Sequence, residues 1–183
     1  MNRRNFLRNI TTGSLALSGC AGTILASESN QGVTNAKQFR LKYAPSIGMF
    51  KENAGDDPID QIRFIHDQGF RAVFDNNLMS REPAMQERMA NELAARGMDL
   101  GPFVLYADFS VMSMVTRDPE IMGVLRERIK EGLEVQKRTN IKTALVVPGR
   151  YDQRLAWDYQ TANVIETMRM CCDIAGPSGL TLV

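Results

Sequence analysis

Apolar residues recur along the chain in two alternating patterns. Short apolar runs predict strands, and longer segments with an apolar residue at every third or fourth position predict amphipathic helices. The predicted strands are Leu41–Ala44, Arg71–Phe74, Leu100–Leu105, Thr143–Val147 and Leu180–Val183. Successive strands begin roughly 30 to 40 residues apart, which is the length of one strand–helix unit. The pattern therefore predicts an α/β fold with a parallel sheet covered by helices.

Helices are predicted between these strands. Two of them begin at the Asp-Pro pairs 57–58 and 118–119, because Asp is a good N-cap and Pro suits the first helical turn. Another begins near Pro83, and the last runs from about Asp158 to Ala175. The residues predicted to face the core share helical spacing: Ile59, Ile62 and Ile65, then Met85, Met89 and Leu93, then Met122, Leu125, Ile129 and Leu133, and finally Ile165, Met168 and Cys172.

Two architectures fit this alternation, a doubly wound open sheet and a (β/α)8 barrel. The connection after the first strand has no Gly-rich phosphate-binding sequence, which weakens the dinucleotide-binding form of the open sheet. The periodicity by itself leaves both architectures open.

The first residues carry a separate pattern. Arg3 and Arg4 lie in the basic segment 2–8, and a weakly apolar stretch follows from Ile10 to Leu25. This arrangement resembles the twin-arginine export signals of bacteria, and the stretch is too short and too polar to span a membrane. The resemblance implies a protein exported in the folded state, with residues 1–30 as signal peptide and 31–183 as the mature domain.

The signal peptide can end in two ways. Residues 17–20 (LSGC) resemble a bacterial lipobox, in which Cys20 would become the lipidated first residue of a membrane-anchored lipoprotein. Residues 21–26, however, are more apolar than a usual lipoprotein tether. The alternative is cleavage near Ala26, which would release a soluble periplasmic protein.

Composition narrows the classes of function. The 183 residues include 22 Lys and Arg against 21 Asp and Glu, and a net charge of +1 argues against a nucleic-acid partner. The hydrophobic share of 44% and the charged share of 23% are those of a soluble globular protein. Of 3 cysteines, Cys171 and Cys172 are adjacent, so no disulfide framework is predicted.

Four segments together resemble the hydroxypyruvate isomerase-like branch of the xylose isomerase-like TIM barrels, in the sugar phosphate isomerase/epimerase superfamily. They are residues 42–50 (KYAPSIGMF), 66–76 (HDQGFRAVFDN), 94–98 (AARGM) and 143–149 (TALVVPG). The resemblance runs from about residue 40 to Val183 and keeps the order and spacing of the family. It implies an incomplete (β/α)8 TIM barrel, with about four βα units and a fifth strand, because the family barrel has eight strands.

The resemblance also implies a chemistry. Such proteins isomerise or epimerise a small sugar or hydroxy acid through an enediol, while a carboxylate moves the proton and Mg²⁺ or Mn²⁺ polarises the substrate oxygens. In the family the metal ligands and catalytic residues come on the fifth and later strands, at positions expected beyond Val183. We therefore expect this chain to be a fragment that lacks the divalent-metal ligands and is inactive alone.

Substrate contacts are expected at the carboxyl ends of the strands, where active sites of barrels lie. Asp75 and Asn76 follow the second strand and would contact a sugar hydroxyl, or else form a polar turn. Arg150 follows the fourth strand and would bind a carboxylate or phosphate, or else remain a solvated loop charge. Tyr106 and Asp108, after the third strand, are weaker candidates.

Other notable side chains are predicted to be structural. His66 is the single histidine, and one helical histidine cannot build the zinc cluster of the apurinic endonucleases that share this superfamily. Trp157 and Tyr159 are predicted to pack rather than to stack on a sugar ring, and Cys171 and Cys172 to fill the core.

A second hypothesis is a non-catalytic exported protein that binds carbohydrate or a partner, with or without a lipid anchor. A half barrel exposes its edge strands, which favours pairing with another chain or with a second copy in a homo-oligomer.

Overall fold

The computed structural model describes residues 37–183 of the chain. The predictions for Arg3, Arg4 and Cys20, and for the whole signal peptide, lie outside the described residues. Within residues 37–183, no helix combines the length and the apolar character needed to cross a membrane.

The strands are short and all pair in parallel. They are β1 (Ala72–Val73), β2 (Asp99–Leu100), β3 (Phe103–Tyr106), β4 (Thr143–Val146) and β5 (Thr181–Leu182). The strand predicted over Leu41–Ala44 does not form: these residues have no regular secondary structure, and a single parallel bridge joins Ser46 to Phe74. The strand predicted over 100–105 is divided into β2 and β3 at Gly101 and Pro102, since Pro has no N–H to donate to a neighbouring strand.

The order of the strands decides between the two architectures. Ser46 bridges to the end of β1, β1 pairs with β2, and β3 pairs with β4, which pairs with β5. Because β2 and β3 are consecutive parts of one segment, the sheet follows chain order throughout. A doubly wound sheet reverses its strand order at a switch point, whereas a barrel does not. The fold is therefore part of a TIM barrel, as predicted.

The helices form one layer. They are α1 (Lys51–Ala54), α2 (Pro58–Asp67), α3 (Pro83–Ala95), α4 (Pro119–Thr139) and α5 (Trp157–Ala175), and neighbours from α2 to α5 pack against each other in chain order. Both predicted Asp caps are confirmed, because the backbone N–H groups of Ile59 and Glu120 donate to Asp57 and Asp118 at 2.8 Å.

The core lies between the helices and the sheet. The stripes predicted on α2, α3 and α4 are confirmed, and their most deeply buried members are Ile62, Ile65, Met89, Leu125 and Ile129. The sheet contributes Phe103 and Leu105 from β3. Helices cover one face of the sheet: on β4 the side chains of Ala144 and Val146 are buried, whereas Leu145 between them is 36% exposed.

The stripe predicted for α5 is confirmed only at Met168, which is half-buried and packs against the core. Ile165 is 45% exposed and Cys172 is also exposed, so the prediction that both adjacent cysteines fill the core holds for Cys171 alone. The buried face is instead formed by Gln160, Asn163, Thr167, Cys171 and Ala175. Gln160 and Asn163 bind the backbone of loops that the helix packs against, and the Thr167 hydroxyl donates to the sulfur of Met122 on α4 at 3.6 Å.

Truncating the core at α2 should destabilise the domain strongly. Ile62→Ala removes a fully buried side chain and leaves a cavity, so the free energy of unfolding should fall by about 2–5 kcal/mol. Val124→Ala, at a position on α4 that is 51% exposed, is the control and should change it by less than about 0.5 kcal/mol. Urea denaturation measures both, and equal losses would contradict the packing described here.

Candidate functional site

The candidate site is the carboxyl edge of the sheet. It is formed by the segments that follow β1, β3 and β4, which are residues 74–82, 107–118 and 147–156. Parallel strands bring their carboxyl ends to one edge, so Asp75, Asn76 and Arg150 share this edge as predicted. The segment that contains β2 and β3 nevertheless lies between Asp75 and Arg150. The ends of β1 and β4 are therefore two inter-strand spacings apart, or roughly 10 Å.

Asp75 is buried and shapes the turn in which it lies. Its side chain is 1% exposed, one carboxylate oxygen accepts a hydrogen bond of 3.1 Å from the N–H of Asn77, and the other forms an ion pair with Arg81. Both carboxylate oxygens are thus engaged within the turn, while Asn76 is exposed beside them. Of the two predicted substrate contacts in this loop, Asn76 is the one with an accessible side chain.

The loop 74–82 is fixed from below by a buried amide on α3. The Gln86 side-chain N–H group donates to the carbonyl oxygens of Leu78 at 2.8 Å and of Arg81 at 3.0 Å. Its oxygen accepts a hydrogen bond of 2.7 Å from Arg138 on α4. Gln86 thus gives a hydrogen-bond partner to two loop carbonyl groups that do not pair with any strand, and its own polar atoms are satisfied as well.

Segments 107–118 and 147–156 are joined at Gly149. The Ser113 hydroxyl donates to the carbonyl oxygen of Pro148 at 2.8 Å, and the N–H of Arg150 donates to the carbonyl oxygen of Val111 at 2.9 Å. Gly149 has a φ of +86°, and a Cβ there would lie 2.3 Å from the Ser113 oxygen and 2.6 Å from the Val111 carbonyl oxygen. Only glycine fits, because both the backbone conformation and the space exclude a side chain.

Two amides on α5 hold the same segments. The oxygen of Gln160 accepts from the N–H of Asp152 at 2.7 Å, and its nitrogen donates to the Asp152 and Leu155 carbonyl oxygens at 3.0 Å each. Asn163 donates to the carbonyl oxygen of Val115 at 2.7 Å. Neither Gln160 nor Asn163 was predicted from the sequence. The two amides are three positions apart and therefore lie on one face of the helix, and this spacing could have indicated a buried polar face.

Arg150 lies beside an open cavity of about 600 Å³. Its side chain is exposed, and no carboxylate of the described residues forms an ion pair with it. The neighbouring carboxylate, Asp152, is bound by Arg154 at 3.0 Å, and the hydrogen bonds from Arg154 hold the pKa of Asp152 below its usual range. The charge of Arg150 also contributes to this low pKa of Asp152, but among residues 37–183 Arg150 forms no ion pair.

The weaker candidates after β3 have different environments. Tyr106 is half-buried. Asp108 accepts hydrogen bonds from the hydroxyl of Ser110 at 2.6 Å and from its N–H at 2.8 Å, and these bonds lower the pKa of the carboxyl group. The Asp108 carboxylate thus caps its own turn.

The prediction that Trp157 and Tyr159 pack was wrong. Trp157 is 71% exposed and Tyr159 is exposed as well. Trp157 contacts Tyr151 edge-on, with ring centroids 6.0 Å apart, beside an apolar cavity of about 280 Å³. On the same turn of α5, Gln160 is buried and binds the backbone of Asp152, whereas the Trp157 indole is exposed.

The described residues do not assemble a metal site. Among residues 37–183, no three His, Cys, Asp or Glu side chains come together as ligands for an ion. Asp75 uses both oxygens within its turn, and His66 lies beside Asp67 on the surface of α2, 3.2 Å away. We therefore derive no chemical step through a metal from these residues.

Comparison with known proteins shows the fold. No protein-family model and no curated protein sequence matches the chain. Among solved structures, an AP endonuclease, family 2, from Brucella melitensis is similar with a TM-score of 0.58 and 18% identity, over 77% of this chain and 53% of that one. D-Psicose 3-epimerase with D-tagatose from Clostridium cellulolyticum H10 is similar with a TM-score of 0.56 and 12% identity, over 78% of this chain and 51% of that one.

A sugar phosphate isomerase/epimerase from Parabacteroides distasonis is similar with a TM-score of 0.55 and 12% identity, over 87% of this chain and 54% of that one. The chain thus spans about half the length of the solved structures it matches. Both types of neighbour are TIM barrels, and this chain has part of that fold.

Adding one methyl group at Gly149 should loosen the candidate site. Gly149→Ala should lower the free energy of unfolding through the clash with Val111 and Ser113. The matched control is Gly55→Ala, at a similar φ of +81° but with no atom within 4 Å of the added Cβ. Gly149→Ala should cost at least about 1–3 kcal/mol more than the control, because overpacking adds to the backbone strain. Equal costs in urea denaturation would contradict the junction at Gly149.

Proposed function

We propose that the chain is part of an exported sugar isomerase or epimerase that depends on a divalent metal and acts through an enediol. The observation that carries the proposal is the edge of a sugar epimerase-like fold at which Asn76 and Arg150 are exposed. The resemblance of residues 40–183 to the hydroxypyruvate isomerase-like branch also supports it.

The roles of the described residues follow from their surroundings. Asn76 donates and accepts hydrogen bonds and suits a sugar hydroxyl. Arg150 suits a carboxylate or phosphate. Asp75 is a positioning residue, since its hydrogen bond to the backbone and its ion pair with Arg81 set the turn that carries Asn76. Mg²⁺ or Mn²⁺ would polarise the substrate oxygens in the whole protein, with ligands other than the residues described here.

The fold also matches an AP endonuclease, so the chemistry has to be argued from the residues. A nuclease of this fold would need a zinc cluster and a basic surface for DNA. In the apurinic endonucleases some of the zinc-binding histidines come from the early strands, whereas this chain has 1 histidine, and it lies on a helix. Together with the net charge of +1, this favours a small-molecule substrate over DNA.

The test is deuterium exchange catalysed by the product of the complete reading frame that contains these residues. With Mn²⁺ and a ketose such as D-fructose in D₂O, an enediol mechanism should exchange the C–H next to the carbonyl, and EDTA should abolish the exchange. Asn76→Ala should raise KM by about 10-fold through a lost hydrogen bond, whereas Asn91→Ala, exposed on α3, should leave it unchanged.

Absence of exchange with ketoses, aldoses and hydroxypyruvate would contradict the enzyme hypothesis. A stop codon directly after Val183 would contradict it for this product. Sugar binding without exchange would then support the non-catalytic carbohydrate-binding alternative.

Export by the twin-arginine route is tested on residues of the leader. Replacing both Arg3 and Arg4 by Lys should retain the precursor in the cytoplasm, whereas Arg40→Lys, outside the leader, should leave the protein in the periplasmic or membrane fraction. If Cys20 is the anchor, Cys20→Ser should abolish labelling by radioactive palmitate, while Cys172→Ser should not. Export of the double Lys variant at the normal level would contradict the proposed route.

A further inference from the structure

Exposed aromatic rings and an unpaired guanidinium group lie together in residues 148–161. We propose that they form a subsite for an acidic sugar, meaning a sugar that carries a phosphate or a carboxylate. Arg150 binds the acidic group, and Tyr151 and Trp157 receive the carbon face of the sugar. The acidic group is inferred from Arg150, whereas the choice of a sugar as the ligand rests on the proposed function.

The aromatic half of the subsite is Trp157 with Tyr151. Trp157 is 71% exposed and Tyr151 is 50% exposed, and the two rings meet edge-on at 6.0 Å. They line a cavity of about 280 Å³ whose other walls are largely apolar, including Val115, Pro148 and Val164. Ligand pockets start at roughly 300 Å³ and combine apolar walls with few polar groups. When the apolar C–H face of a ligand covers an exposed aromatic ring, the apolar surface that is removed from water stabilises the complex.

The cationic half of the subsite is Arg150. It lines the adjoining cavity of about 600 Å³, and Tyr151 lines both cavities, so the aromatic and cationic halves meet at Tyr151. Arg154 and Asp152 line the same cavity, but they neutralise each other in an ion pair of 3.0 Å. Among the residues that line this cavity, Arg150 is therefore left as the one net positive charge, and this charge selects an anion.

The backbone between the two halves is held in place before any ligand binds. The N–H of Arg150 is bonded to Val111, Gly149 is confined by Ser113, and Gln160 makes three hydrogen bonds to residues 152 and 155. A subsite on such a backbone loses little conformational entropy on binding. A solvated loop charge beside a loose aromatic side chain would need none of these bonds.

Trp157 is also the reporter, because it is the single tryptophan of the chain. The 183-residue chain is titrated with D-fructose 6-phosphate, D-gluconate, D-fructose and inorganic phosphate, and acrylamide quenching of its fluorescence is measured. We expect D-fructose 6-phosphate or D-gluconate to protect Trp157, and the better of the two identifies the acid as phosphate or carboxylate. D-Fructose should bind at least about 10-fold more weakly, since it lacks a charged hydrogen-bond partner for Arg150.

Variants separate the two halves. Arg150→Gln should weaken binding of the acidic sugar by about 10- to 100-fold, to the level of the neutral one, whereas Arg169→Gln, exposed on α5 outside both cavities, should change its affinity by less than about 3-fold. Tyr151→Ala should weaken all the sugars in calorimetric titrations, whereas Tyr159→Ala, exposed on α5 outside the cavity, should not. Thermal unfolding of each variant verifies that it is folded.

Several results would overturn the subsite. They are protection by D-fructose equal to that by the acidic sugars, an Arg150→Gln affinity equal to that of the unchanged chain, protection by inorganic phosphate alone, or no protection by any sugar. The proposed enzyme fails separately: absence of deuterium exchange together with protection of Trp157 by an acidic sugar supports the subsite and contradicts the isomerase.

Discussion

The rest of the structure depends on backbone hydrogen bonding between strands that are consecutive in the chain. The N–H of Gly101 donates to Val73 at 2.7 Å, that of Val147 to Tyr106 at 2.8 Å and that of Val183 to Ala144 at 2.9 Å. Parallel neighbours in chain order require every connection to return over the sheet, and such crossovers are right-handed. The helices are consequently confined to one face, and the carboxyl ends of the strands to one edge. A position at this edge is what Asp75, Asn76 and Arg150 have in common.

The strands stop short of the candidate site, so side chains replace the sheet there. Gln86, Gln160 and Asn163 are buried and bind the backbone of the segments that follow β1, β3 and β4. An unpaired buried amide would cost about 1–3 kcal/mol, and here each has a backbone partner. The amides thus stabilise an edge that apolar packing could not shape, because apolar side chains offer nothing to a free carbonyl or N–H group.

This division explains what could be predicted from the sequence. The caps at Asp57 and Asp118 and the stripes on α2, α3 and α4 are local patterns, and they were confirmed. Strand order is non-local, so periodicity left the barrel and the open sheet undecided until the pairing was known. The face of α5 was mispredicted for a similar reason. Asn163 is buried through a bond to Val115, 48 residues away in sequence, while Gln160 binds the irregular segment that precedes the helix, and neither contact is visible in the apolar periodicity.

The fold does not determine the chemistry, since solved structures of sugar epimerases and of an AP endonuclease both match it. The side chains at the edge are more informative. The carboxylates of Asp75, Asp108 and Asp152 all accept hydrogen bonds from their own turns. For Asp108 and Asp152 these bonds hold the pKa of the carboxyl group below its usual range, so both carboxylates are weak general bases. Arg150, Asn76 and Trp157, by contrast, are exposed. In the proposed enzyme, the exposed groups of this edge are therefore assigned to ligand binding rather than to proton transfer.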